Sequence, residues 1–168
     1  SLVLDRAVFV GSSAFKTLSL KATRGTFRWI SGQSRSSAYK INTPFGTLGI
    51  RGTAVDFYIG AGTASVIILE GRAVFCGNNG VCKPLTRGCD MVTANRNGVI
   101  GESRKPAKTA VAGVGNDVSF PFLVGARKLS QPFRVGGGKC GLSATVRVID
   151  EKTGGGGGGG GSGGSNDN

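Results

Sequence analysis

Four cysteines and the complete absence of histidine decide most of the chemistry open to this chain of 168 residues. Cys76 and Cys82 flank Gly77-Asn78-Asn79-Gly80-Val81. Asn and Gly residues suit a tight hairpin with positive φ angles, so the two sulfurs can meet across it. Cys89 and Cys140 are then left as a second pair, which would tie the C-terminal region to the body and remove the entropy of a long unfolded loop. Four cysteines permit three connectivities, and an intermolecular bond is a further option. A four-thiolate zinc site is disfavoured, because five, six and fifty residues separate successive cysteines and the close pairs of structural zinc sites are missing. Without imidazole there is no common base for a serine or cysteine nucleophile. Asp56 and Glu70 lie in strand-like sequence, where a carboxylate pair can cleave glycosides. With 9 acidic residues among 21 basic ones, however, ion pairing is their expected role, with Arg51 as the cation neutralised. The expectation is a protein that is not an enzyme and holds no metal or cofactor.

The elements that must position these residues read as strands. Leu18, Leu20 and Ala22 alternate with Thr17, Ser19 and Lys21, and Val55, Phe57 and Ile59 alternate with Ala54, Asp56 and Tyr58. Further strands are expected at 26–30, 38–42, 64–69, 72–76 and 91–94, separated by Gly, Asn, Ser and Pro clusters. No window carries helical apolar spacing with caps at both ends. The predicted fold is all-β, a β-sandwich or a rolled, β-helix-like barrel, with a short C-terminal β extension and a glycine-rich tail. The expected divisions are a β domain at 1–100, a linker or irregular arm at 101–116, the β extension at 117–150 and the tail at 151–168. Within the extension, 118–124 and 141–149 read as strands, the second with Leu142, Ala144, Val146 and Val148 on one face. Phe27 and Trp29 share a strand face and are expected in the core.

The segment from Thr43 to Thr53 reads Thr-Pro-Phe-Gly-Thr-Leu-Gly-Ile-Arg-Gly-Thr and runs into Ala54-Val55-Asp56-Phe57-Tyr58-Ile59. Gly46, Gly49 and Gly52 lack the lysine pattern and following helix of a phosphate-binding loop, and read instead as bend and bulge glycines. This stretch resembles the signature of the FecR domain family, on Thr43, Pro44, Gly49, Arg51, Gly52 and Thr53. Leu2-Val3-Leu4-Asp5, Gly25 to Gly32, Tyr39 to Pro44 and Leu69-Glu70-Gly71 resemble flanking segments of that family, over roughly the first hundred residues. The resemblance implies either an exported β-module or a periplasmic regulator that senses an iron-siderophore receptor and controls a sigma factor. Arg51 is expected to be a buried or half-buried ion-pair donor that fixes strand geometry.

The net charge of +12 implies attraction to anionic polysaccharide, lipopolysaccharide or another acidic surface. The cations are scattered, without the focused stripe of a specific nucleic-acid binder. No stretch has the ~20 apolar residues of a membrane span, and the chain begins at Ser1, as after removal of an export signal. Paired cysteines favour an oxidising compartment: secretion to the cell exterior or surface, with the periplasm as the alternative. Gly154 to Gly161 is an uninterrupted glycine run; ordering it would need dense backbone hydrogen bonds, which neighbouring copies can supply. The leading expectation is a structural subunit that self-assembles into an extracellular filament or surface matrix. Its contacts would come from the chain ends: Leu2, Val3 and Leu4, or Leu142, Val146, Val148, Gly154 and Gly161. The alternatives are the periplasmic regulator and an anionic glycan-binding module.

Overall fold

The alternating sequence builds one curled mixed sheet. A computed structural model describes residues 2–10, 14–31, 39–135 and 138–144. Its strands are β1 (Leu2–Val10), β2 (Ala14–Ala22), β3 (Gly25–Ile30), β4 (Tyr39–Thr43), β5 (Gly46–Gly60), β6 (Thr63–Gly77), β7 (Cys82–Leu85) and β8 (Met91–Asn95). They follow the order β1-β2-β4-β5-β6-β7, with β3 beside β5 and β8 beside β6. The pairing of β2 with β4 is parallel, and the other pairings are antiparallel. The fold is all-β, a half-barrel rather than a two-sheet sandwich. No helix among the described residues is long and apolar enough to cross a membrane.

Two long strands form the spine, and their glycines decide its shape. In β5 the residues facing the main core are Leu48 and Ile50, then Val55, Phe57 and Ile59; in β6 they are Ala64, Val66 and Ile68, then Ala73 and Phe75. Both strands switch parity at the same level, because each carries one extra residue between Arg51↔Arg72 and Val55↔Ile68. Such a bulge bends a strand and raises its twist. Gly52 (φ 141°) and Gly71 (φ 83°) supply the left-handed backbone. A Cβ on Gly52 would lie 2.5 Å from the Cα of Gly71, so the two backbones meet closer than a side chain allows. The paired bulges turn the sheet while keeping one apolar face inward.

The core has two layers. The concave side packs Leu18, Leu20, Tyr39, Ile41, Leu48, Phe57, Phe75 and Leu85 with their neighbours, and Phe27, Trp29 and Phe45 close over it. Phe27 stacks on Phe57 at 5.0 Å, and Trp29 meets Tyr39 edge-on at 5.2 Å, so both aromatics belong to the core as expected. The opposite side of β5, β6 and β8 presents Ala54, Tyr58, Ile67, Leu69 and Met91, and the C-terminal region covers them with Val111, Phe120, Leu123 and Leu142.

That cover is irregular and helical where strands were expected. Residues 118–124 fall in two single turns, α1 (Asn116–Ser119) and α2 (Pro121–Val124), followed by 3₁₀ turns at Ala126–Lys128 and Gln131–Phe133. Pro121 stands at the start of α2, where its missing N–H is harmless. Phe120 and Leu123, three apart, then reach the same apolar surface. An apolar run this short does not distinguish strand from helix by period. The arm from 101 onward is irregular and is held by bridges Met91↔Arg104 and Val111↔Val114. Residues 141–144 are turn and coil, not strand; the rest of the expected final strand, with Val146 and Val148, and the tail with Gly154 and Gly161 lie outside the described residues.

Candidate functional site

The motif residues are distributed along the β4–β5 turn and the bulge. Thr43 Oγ1 donates to the carbonyl of Gly46 at 2.8 Å and accepts the Phe45 N–H at 3.2 Å, closing the turn around Pro44. The carbonyl of Pro44 accepts from Asn78 Nδ2 at 2.8 Å, which pins this turn to the Cys76–Cys82 hairpin. Gly49 sits opposite Lys40 and Val74, where a Cβ would come within 3.2 Å of Val74 Cγ1. Gly52 and Thr53 form the bulge.

Arg51 corrects the sequence reading. It is exposed and stands in register with Arg72. The buried cation is Arg28, one of the residues missed. Arg28 and Asp56 are cross-strand partners of β3 and β5, and the guanidinium grips the carboxylate in two bonds, Nε to Oδ1 at 2.6 Å and an NH2 nitrogen to Oδ2 at 2.7 Å. The Asp56 side chain is 0% exposed and that of Arg28 only 7%. A further nitrogen of Arg28 donates to the carbonyl of Phe133 at 3.0 Å, and the group lies over the Phe122 ring at 5.7 Å. Burial pushes the Asp56 carboxyl above the ordinary aspartate range, while the hydrogen bond and charge of Arg28 pull it down. The sequence did contain a signal: with Phe27 and Trp29 inward, Arg28 must face the other side of the sheet, where Asp56 also points. Chemically the pair is a buried, bidentate clasp between β3 and β5.

Asn116 was also missed. This buried amide accepts the N–H of Ala110 at 3.0 Å and donates to the carbonyls of Lys108 at 2.7 Å and Ser143 at 3.0 Å. One side chain thereby clips three segments of the cover together. The disulfides join Cys76 to Cys82 across the β6–β7 hairpin and Cys89 to Cys140, with Cα atoms 3.9 and 5.3 Å apart. The second bond fastens the cover to the loop before β8.

Of the residues expected at chain-end contacts, Leu142 is 2% exposed and packs inside this molecule's own outer core, so its side chain is already in use. Leu2, Val3 and Leu4 lie in β1, opposite Ala22, Lys21 and Leu20 of β2. Among the described strands β1 pairs with β2 alone. Its other edge is a row of backbone donors and acceptors with no strand against it among the described residues.

At one end of the half-barrel, four turns enclose an open cleft of about 780 Å³ lined by Thr23, Arg24, Pro44, Phe45, Gly62, Arg96 and neighbours.

No protein-family model matches the chain, and no curated protein matches it. Two crystal structures of a "putative anti-sigma factor" from Parabacteroides distasonis ATCC 8503 are similar in shape. One is 13% identical with a TM-score of 0.43, the match covering 59% of this chain and 45% of that one. The other is 13% identical with a TM-score of 0.44, covering 60% and 46%. The chain therefore spans less than half of the length of these proteins.

Proposed function

We propose that this chain is an exported, non-catalytic structural subunit that assembles with copies of itself by adding a strand to the free edge of β1. One observation carries the reading: a nine-residue strand, Leu2–Val10, closes the sheet on one side and pairs only with β2 among the described strands. An edge of that length, in a Val- and Leu-rich segment, is a template for another chain's backbone. The opposite end of the sheet is treated differently. There β7 is only four residues long and contains Pro84, two devices that blunt an edge, and the Cys76–Cys82 bond ties it to β6. β1 carries irregularities of its own at Leu4/Arg6 and Val8/Phe9, and its nine-residue length supports addition there.

Two further features support the setting. Both disulfides fit export to an oxidising compartment. The turn at Thr43-Pro44 and the bulge at Gly52-Thr53 give structural roles to several of the residues on which the FecR resemblance rests, though not to the exposed Arg51. The family reading remains part of this proposal, with the subunit as a FecR-like β-module. Sedimentation and negative-stain electron microscopy of the purified chain test assembly: oligomers or filaments that grow with concentration are expected. A chain that stays monomeric at millimolar concentration contradicts the proposal.

A further inference from the structure

We infer that the cleft at the end of the half-barrel binds an acidic sugar unit of a polysaccharide through Arg24 and Arg96. The cleft is built by the β2–β3, β4–β5 and β5–β6 turns and the turn after β8. Among the described residues its lining contains two arginines and no carboxylate, so it is a local concentration of positive charge in an already basic chain. Arg96 is held over the tip of the β5–β6 hairpin. Gly62 there has φ 76°, and a Cβ on it would lie 3.4 Å from Arg96 Nε, so the missing side chain gives the guanidinium its place across the tip. The guanidinium fork matches a carboxylate in two parallel bonds, a geometry that an ammonium lacks.

The remaining lining specifies a sugar rather than a bare anion. Pro44 is exposed, and Phe45 is half-buried with its ring packed on the core below. Together they offer a rigid apolar floor suited to the C–H face of a pyranose. Asn97 is exposed on the rim and supplies an amide of the kind that reads hydroxyls. The cleft is open to solvent, which suits one unit of a continuing chain better than an enclosed metabolite. Such a site would let an assembled subunit hold a uronate-bearing polymer.

Titration calorimetry of the full chain with trigalacturonate tests this, with maltotriose as the uncharged comparison. Trigalacturonate is expected to bind and maltotriose is not. Arg96→Gln should weaken binding by about tenfold or more, as loss of a charge-assisted contact implies. The double change Arg127→Gln with Lys128→Gln removes more charge from the exposed 3₁₀ turn, away from the cleft, and should leave affinity within about twofold. Arg24→Gln should add to the Arg96 loss; the Arg96 variant alone decides the matter if that second variant does not fold. Equal weakening by the cleft and distant variants, equal binding of maltotriose, or no binding of trigalacturonate at millimolar concentration would each overturn the inference. Competition by inorganic phosphate at equal affinity would do so too, since the site would then read charge and not a sugar.

Discussion

Arg28 and Asp56 show why a buried ion pair is judged by what happens when it is broken. The pair itself adds little net stability, because removing both charges from water costs about as much as their attraction returns. Deleting one partner strands the other. Arg28→Ala should therefore lower stability by about 3 kcal/mol at pH 7, the low end of the usual penalty, because a carboxyl already pushed upward by burial escapes part of the cost by taking a proton. Arg51→Ala, at an exposed position, should change stability by less than about 0.5 kcal/mol. Urea midpoints of the two variants check both figures, and equal losses would refute the assignment. The titration has a definite sign. A carboxyl whose folded pKa is raised contributes stability that is fully present below its unfolded value, near 4, and is lost as pH rises through the folded value. Asp56 therefore does not drive acid unfolding, and carboxyl-carbon NMR should give it a midpoint above that of an unfolded aspartate. A midpoint below it would mean that Arg28 outweighs burial.

The paired bulge of β5 and β6 is where local sequence and sheet shape meet. Gly52→Ala places a side chain 2.5 Å from the Gly71 backbone at φ 141°, and should cost more than about 2 kcal/mol. Gly101→Ala meets nothing closer than 3.8 Å and should be nearly neutral, within about 0.5 kcal/mol. Thermal melts of both variants separate a shape-determining glycine from an incidental one. This bulge was legible in the sequence from its glycines, which read as bend and bulge positions, and the switch of parity across it came from the structure. The strands were legible from their alternation, that of Val55, Phe57 and Ile59 in particular. The partner of Asp56 was not, since pairing β3 with β5 needs a register that period alone does not give. Nor was the cover. Ala54, Tyr58, Ile67 and Leu69 make the far side of the sheet apolar, yet a continuous apolar run does not say whether strands or helical turns will cover it. Phe120 and Leu123 show that short turns sufficed.

The architecture is a half-barrel with a fastened cover on one side and β1 at the end of the described sheet. The two disulfides contribute unequally to it. By loop length, the Cys89–Cys140 bond with its separation of 51 residues should stabilise by about 4 kcal/mol, and the Cys76–Cys82 bond with a separation of 6 by about 2. Paired Cys→Ser variants compared by chemical denaturation check the order, and a larger loss at the hairpin would contradict it. The tail was recognised in sequence by its glycine run alone. Deleting residues 154–168 should weaken assembly while leaving the folded subunit's near-ultraviolet circular dichroism unchanged, and undiminished assembly would make the tail a passive linker. The most direct test of strand addition is amide hydrogen exchange, measured residue by residue at low and high protein concentration in about 0.15 M salt, where the repulsion of a +12 subunit is screened beyond about 8 Å. In the dilute chain, amides of Leu2–Val10 on the free edge should exchange rapidly while those bonded to β2 are slow. In the concentrated chain the whole strand should become slow, because a second copy then satisfies the outer row. Rapid exchange along that edge at every concentration would contradict assembly through β1.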